Sequence, residues 1–168
     1  KSCILCEENS YLYIVSDIGR IIKIKITENI FPFMGKLAQG TSIIKLFPGE
    51  NIIEALSIQE NQSKDLILIT SKGYFVKHMT KNIKISKKGD LGRMGIHFKD
   101  NKTIKDRVIN CFVNNKYVYI TTNKERYEKL NTDKIDESSY KKETKLNIKL
   151  NNDEFIKSTF SMIIPEKN

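Results

Sequence analysis

The stretch IIKLFPGENIIEAL (43–56) returns twice along the chain, as GIHFKDNKTIKDRVI (95–109) and NIKLNNDEFIKSTF (147–160). Ile44, Ile96 and Ile148 stand 52 residues apart, as do Leu46, Phe98 and Leu150, and again Ile52, Ile104 and Ile156. Apolar positions that hold one interval through two steps mark an internal repeat, and internal repeats of this length mark stacked or radial architectures. Each copy reads as a strand, a polar turn (Pro48-Gly49-Glu50, Asp100-Asn101-Lys102, Asn151-Asn152-Asp153) and a second strand. Ile44, Ile96 and Ile148 are accordingly expected at matching inward-facing strand positions.

Working outward, a second motif precedes each copy: YLYIVSDIGRIIKIKI (11–26), DLILITSKGYFVKHM (65–79) and KYVYITTNKERYEKL (116–130). Val15, Ile69 and Ile120 are its equivalent points, 54 and 51 residues apart. Their departure from 52 places small length changes in the loops, which tolerate them. Ile22, Ile24 and Ile26 alternate with Lys23 and Lys25, a period of two that describes a half-solvated strand and excludes a helix. Gly19 and Gly73 supply the backbone freedom of tight hairpin turns, while Gly40 and Gly95 precede the Ile44 and Ile96 strands.

One repeat is therefore four strands in about 52 residues, the size of a propeller blade. The expected fold class is all-β, with propeller-like blades over residues 1–168 and repeat cores at 11–56, 65–109 and 116–160. Three repeats are fewer than the roughly four to eight blades of a closed propeller, which implies a partial or open ring. Phe160-Ser161-Met162-Ile163-Ile164 reads as the opening strand of a further blade, within 161–168.

The formal net charge is +9. Residues 71–99 hold Lys72, Lys77, Lys81, Lys84, Lys87, Lys88, Arg93 and Lys99 against Asp90 alone, so this one segment carries most of the excess. It includes a loop with Gly89, Gly92 and Gly95, which suits either a flexible connection or close approach by a phosphate backbone. Spread over strand, loop and strand, the cations suit a rim that touches successive phosphates. Arginine supplies only Arg20, Arg93, Arg107 and Arg126 of the 29 basic residues, a balance that favours backbone contact over base reading. A coding bias toward Lys, Asn and Ile accounts for much of that balance. No aromatic ladder accompanies the lysines, which disfavours a single-strand stacking platform.

No apolar run approaches the roughly 20 residues of a membrane-spanning helix, and the first residues carry no signal-peptide pattern. Cys3 and Cys6 form a CxxC that lacks a second ligand pair, so no metal is expected there, and the cysteines read as small buried apolar residues. No HExxH, GxSxG or phosphate-loop pattern is present, and His78 and His97 read as strand residues. No catalytic, cofactor or metal site is assigned. A protein-interaction propeller whose lysines serve solubility is the competing reading.

SDIGRIIKIKITENIFPFMGKLAQGTSIIKLFPGENIIEAL (16–56) resembles the repeating blade of the C-terminal β-pinwheel of the DNA gyrase A protein and of its topoisomerase IV relative. ITSKGYFVKHM with KKGDLGRMGIHFKDNKTI, within 69–104, resembles the next blade, with its Lys-Gly turn and a basic loop leading into Gly-Ile. The copy at 116–160 diverges: Lys124-Glu125 stands in place of the turn glycine. The resemblance implies duplex DNA as partner, contacted by Arg20, Lys23, Lys36, Lys72, Lys77, Lys87, Lys88 and Arg93. It also implies a DNA-wrapping role beside a topoisomerase catalytic core in the same polypeptide. The holoenzyme would be completed by a B-type ATPase subunit, with ATP and Mg2+ used outside this segment. A QRRGG[KR]G box is not recognisable, which leaves gyrase and topoisomerase IV both open. The implied location is the nucleoid-bearing cytoplasm of a bacterium, or a plastid.

Overall fold

Period-two apolar alternation and a left-handed glycine at position 19 fold the first repeat into a hairpin. Ser10–Ser16 (β1) and Arg20–Lys25 (β2) pair antiparallel, Val15 facing Ile21 and Tyr11 facing Lys25. The structure is a computed structural model that describes residues 3–98, 106–113, 116–135, 144–145 and 148–161. Its further strands are Ile52–Gln59 (β3), Asp65–Thr70 (β4), Tyr74–Met79 (β5), Arg93–Met94 (β6), Val108–Val113 (β7), Tyr117–Thr122 (β8), Tyr127–Asn131 (β9), Thr144–Lys145 (β10) and Ile156–Ser161 (β11).

Among the described residues these strands form three antiparallel sheets, ordered β3-β1-β2-β6, β10-β5-β4-β7 and β11-β8-β9. Each is a blade built on one hairpin. The first hairpin strand takes β3, β7 or β11 beside it, with an irregularity of register at the same place in all three blades. The second hairpin strand takes a two-residue strand from the following repeat: β6 lies on β2, and β10 on β5. Consecutive blades are thus joined by strand exchange as well as by packing.

The cores lie on the faces of the blades. Leu12, Ile14, Ile22 and Ile24 cover one face of the first blade with Ile44. Tyr13, Val15, Ile21 and Ile58 meet Leu66, Leu68, Val76 and Cys111 between the first and second, with Ile96 among them. Ile67, Ile69, Phe75 and Phe112 meet Val118, Ile120 and Ile156 between the second and third, with Ile148 among them. The three equivalent isoleucines therefore sit in successive layers and all are buried. They lie on extended segments outside the ladders; Ile44 makes only an isolated bridge to Asp90.

In the strands that follow, the first and third repeats keep the spacing and the second departs from it. Ile52 faces Ser16, Val108 faces Thr70 and Ile156 faces Thr122, so Val108 holds the register position assigned to Ile104. Ile104 itself lies outside the described residues. Phe160 and Ser161 are the end of β11, opposite Tyr119 and Val118; the rest of the segment read as a further blade, residues 162–168, lies outside the described residues. Cys3 and Cys6 are exposed and lie outside any strand, whereas Cys111 is buried in β7, where burial raises its thiol pKa.

A shorter repeat emerges only in the structure. Thr27, Thr80 and Thr132 each accept, through the backbone carbonyl, a hydrogen bond from the amide of Ile30, Ile83 and Ile135 respectively. This Thr-x-x-Ile turn ends each hairpin. In the second repeat the chain then leaves its own blade for the first.

Candidate nucleic-acid interface

After the Thr80–Ile83 turn the chain of the second repeat crosses onto the first blade. The Ser86 amide donates to Lys23 O at 2.7 Å, Gly89 to Ile43 O at 2.7 Å, and Gly95 to Gly19 O at 2.7 Å, while Lys45 donates to Asp90 O at 3.2 Å. The basic loop of one repeat is thereby laid along the outer edge of the blade before it. Gly92 adopts φ +76°, and a Cβ there would stand 2.8 Å from Ile21 O; one at Gly95 would stand 2.4 Å from the Ile21 side chain. These two glycines let protein backbone approach protein backbone. Gly89, also at positive φ, faces open space.

Lys87, Lys88 and Arg93 are exposed along this edge, with exposed Lys45 held beside them by the bond to Asp90. Lys88 Nζ donates to Ile30 O at 3.0 Å, tying in the turn from which the segment with exposed Lys36 continues. Lys81 and Lys84 are exposed on the approach to the edge. Asp90 caps its own turn, its carboxylate accepting from the Leu91 amide at 2.8 Å. Lys45 escaped the sequence reading because it lies outside the basic run; only the crossing of the chain brings it there.

Arg20 and Lys23 do not belong to this surface. Arg20 is 3% exposed: Nε donates to Glu50 Oε1 at 2.7 Å, Nη2 donates to Glu50 Oε2 and to Lys45 O (2.9 Å), and Nη1 donates to Leu91 O. Its guanidinium also lies 4.4 Å from the Phe47 ring centre. Burial pushes the Glu50 carboxyl up, but hydrogen bonds from Arg20 and the Phe47 amide outweigh it and hold the pKa below its ordinary value. Lys23 is 7% exposed, donates to Thr80 O at 3.0 Å and lies over the Tyr11 ring; burial lowers its pKa. Three positions apart, the two cations lie on opposite faces of β2, and both are committed inside the protein because both faces of this strand are covered; it is not the half-solvated strand its alternating lysines suggest.

Lys72 and Lys77 are half-buried on the second blade, away from the edge just described. Lys72 occupies the β4–β5 turn, and its amide donates to Asp106 at 3.0 Å. Lys77 pairs with Asp65 at 3.7 Å and lines a cavity of about 310 Å³ with Lys116 and Asp133. Opposed charges there leave no anion site of one sign. Of the sequence-derived contacts, the fold thus gathers Lys87, Lys88 and Arg93, sets Lys36 in the adjoining segment, and withdraws Arg20 and Lys23. Among the described residues no group of three His, Cys, Asp or Glu side chains is placed to hold a metal ion.

No protein-family model matches the sequence, and no curated protein matches it. Solved structures do. The C-terminal domain of DNA topoisomerase IV superposes with a TM-score of 0.75 at 16% identity, over 90% of this chain and 46% of that one. The DNA gyrase A C-terminal domain gives 0.64 at 19% identity, over 83% and 43%. The E. coli ParC C-terminal domain gives 0.67 at 16% identity, over 96% and 66%. The chain spans less than half of the first two structures and about two thirds of the third. Blades joined by exchanged strands and superposing at this level make the fold an open β-pinwheel, the fold of the type IIA topoisomerase C-terminal domains.

Proposed function

We propose that this chain binds duplex DNA along the outer edge of its first blade. The observation that carries the reading is the strand exchange, which delivers Lys87, Lys88 and Arg93 to the edge where Lys45 already lies. Flexible cations on an exposed edge contact phosphates rather than bases. The role that fits is an accessory domain of an ATP-dependent type IIA topoisomerase, wrapping DNA to support negative supercoiling or capture of a transported segment. Strand cleavage, ATP and Mg2+ would then be handled by the catalytic core and the B-type ATPase partner, in a bacterial cytoplasm or a plastid. The fold likeness to the C-terminal domains of gyrase and topoisomerase IV supports this.

Duplex titration at several salt concentrations is the test. Phosphate contacts release counterions, so log K should fall steeply and linearly with log salt. A second reading, protein recognition without DNA, draws on the exposed Phe33 and Leu37, which are 95% and 99% accessible. It predicts no duplex binding even at low salt.

A further inference from the structure

The basic edge of the first blade carries two apolar side chains among its cations. Phe47 is 48% exposed and Leu91 is 41% exposed. Both meet the buried guanidinium of Arg20: the Phe47 ring centre lies 4.4 Å from it, and Nη1 donates to Leu91 O. The elements around them, β2, β6, the turn before β3 and the crossing segment, are all described. Lys45 stands two residues before Phe47 and Arg93 two residues after Leu91, and both are exposed, as are Lys87 and Lys88 on the same crossing segment.

Both residues are held rigidly. The Phe47 amide donates to Glu50 Oε2 at 2.8 Å, and its carbonyl accepts from the Glu50 amide at 3.0 Å. The Leu91 amide donates to the Asp90 carboxylate at 2.8 Å, while its carbonyl takes the Arg20 donor. The Phe47 ring is fixed further by its contact with the guanidinium. The backbone donors and acceptors of both residues are thus used inside the protein, and what they turn outward is apolar side-chain surface. A solvated charged edge has no need of such anchoring, whereas a rigid apolar surface loses little freedom on meeting a partner.

We propose that Phe47 and Leu91 form an apolar ledge that packs on the deoxyribose edge of a bound duplex, between the phosphates held by the neighbouring cations. The inference rests on the DNA-binding reading and adds to it the group that recognises the sugar. Sugars lie between successive phosphates along a strand, so a side chain set among phosphate-binding cations meets a sugar. Deoxyribose offers C–H surface there. Ribose would press its 2′-hydroxyl against a ring and an isobutyl group that form no hydrogen bond, a desolvation that disfavours RNA. The occupant is a duplex rather than an apolar protein surface because the ledge is small and exposed cations surround it, whereas the centres of protein interfaces are depleted of lysine.

Equilibrium binding of the 168-residue chain to a DNA duplex and to an RNA duplex of the same sequence, each over a range of salt, tests this. The parent should bind the DNA roughly tenfold more tightly. Leu91→Ser keeps the backbone bonds of the site and should weaken DNA binding roughly fivefold at every salt concentration. The log–log slope should not change, because an apolar contact releases no counterions. RNA binding should stay as in the parent, so the preference narrows. Leu91→Met, which conserves volume and apolar character, should behave as the parent does. Phe47→Ser, with thermal melting run alongside because the ring covers Arg20, should act in the same direction as Leu91→Ser. A parent without preference, a Leu91→Ser chain with parental DNA affinity, or a loss that comes as a flatter slope overturns the ledge and leaves the DNA-binding reading standing. A parent that binds neither duplex at low salt defeats that reading, and the ledge with it.

Discussion

Arg20 and Glu50, thirty residues apart, form a buried ion pair that fastens three segments at once: β2, the turn ahead of β3 and the incoming strand at Leu91. Removing one partner of a buried pair leaves the other charged and uncompensated. Glu50→Gln should therefore destabilise the chain by about 3 kcal/mol at neutral pH, read by chemical denaturation. Its folded pKa lies below the ordinary 4.5, so its contribution is complete above that value and lost as pH falls through the folded pKa. The gap between parent and variant should accordingly narrow below about pH 4.5. A gap that stays constant down to about pH 3 would show that Glu50 contributes through shape alone.

Lys87, Lys88 and Arg93 are exposed and lie on the edge built by strand exchange. Their joint replacement by alanine should weaken binding to unrelated duplexes about equally. It should also flatten the log–log salt dependence by roughly one unit for each phosphate no longer neutralised. Lys88 also holds Ile30 O, so thermal melting should be run alongside. Undiminished affinity in a folded triple variant would place the DNA elsewhere.

Arg20 and Lys23 offer the complementary case. Arg20→Ala should cost stability far more than DNA affinity per folded molecule, because its donors are spent inside the protein. Equilibrium denaturation together with a duplex titration of the folded fraction separates the two effects.

Glu125 takes φ +58° at the turn where Gly19 and Gly73 take +84° and +81°. A left-handed conformation costs a residue with a Cβ roughly 1–2 kcal/mol, part of which glycine loses again through its freer unfolded chain. Glu125→Gly should therefore stabilise the third blade by about 0.5–1 kcal/mol, seen as a higher denaturation midpoint. No gain would mean that the strain at Glu125 is already relieved by its neighbours.

Gly92 and Gly40 share a φ of +76° but not their surroundings. Gly92→Ala meets both the conformational cost and the Ile21 carbonyl, and should lose about 2–4 kcal/mol. Gly40→Ala meets only the first and should lose about 1 kcal/mol. Equal losses in denaturation would remove the steric role assigned to the approach of Ile21.

The repeat, the hairpins and the all-β class were legible in the sequence because they rest on local rules. Period-two alternation at Ile22, Ile24 and Ile26 specifies a strand, and Gly19 and Gly73 specify its turn. The isoleucines at 44, 96 and 148 announced buried positions through their spacing alone. What a period cannot convey is which blade a segment joins. The basic run of the second repeat looked like a property of that repeat, yet its backbone pairs with the first, so the surface it forms includes Lys45. The same crossing buries Arg20, whose guanidinium holds the carbonyls of the arriving chain, and covers Lys23 beneath the Thr80 turn. A charge in sequence is only a charge; whether it faces solvent depends on which carbonyls and rings arrive beside it, and here they arrive from some 25 to 70 residues away.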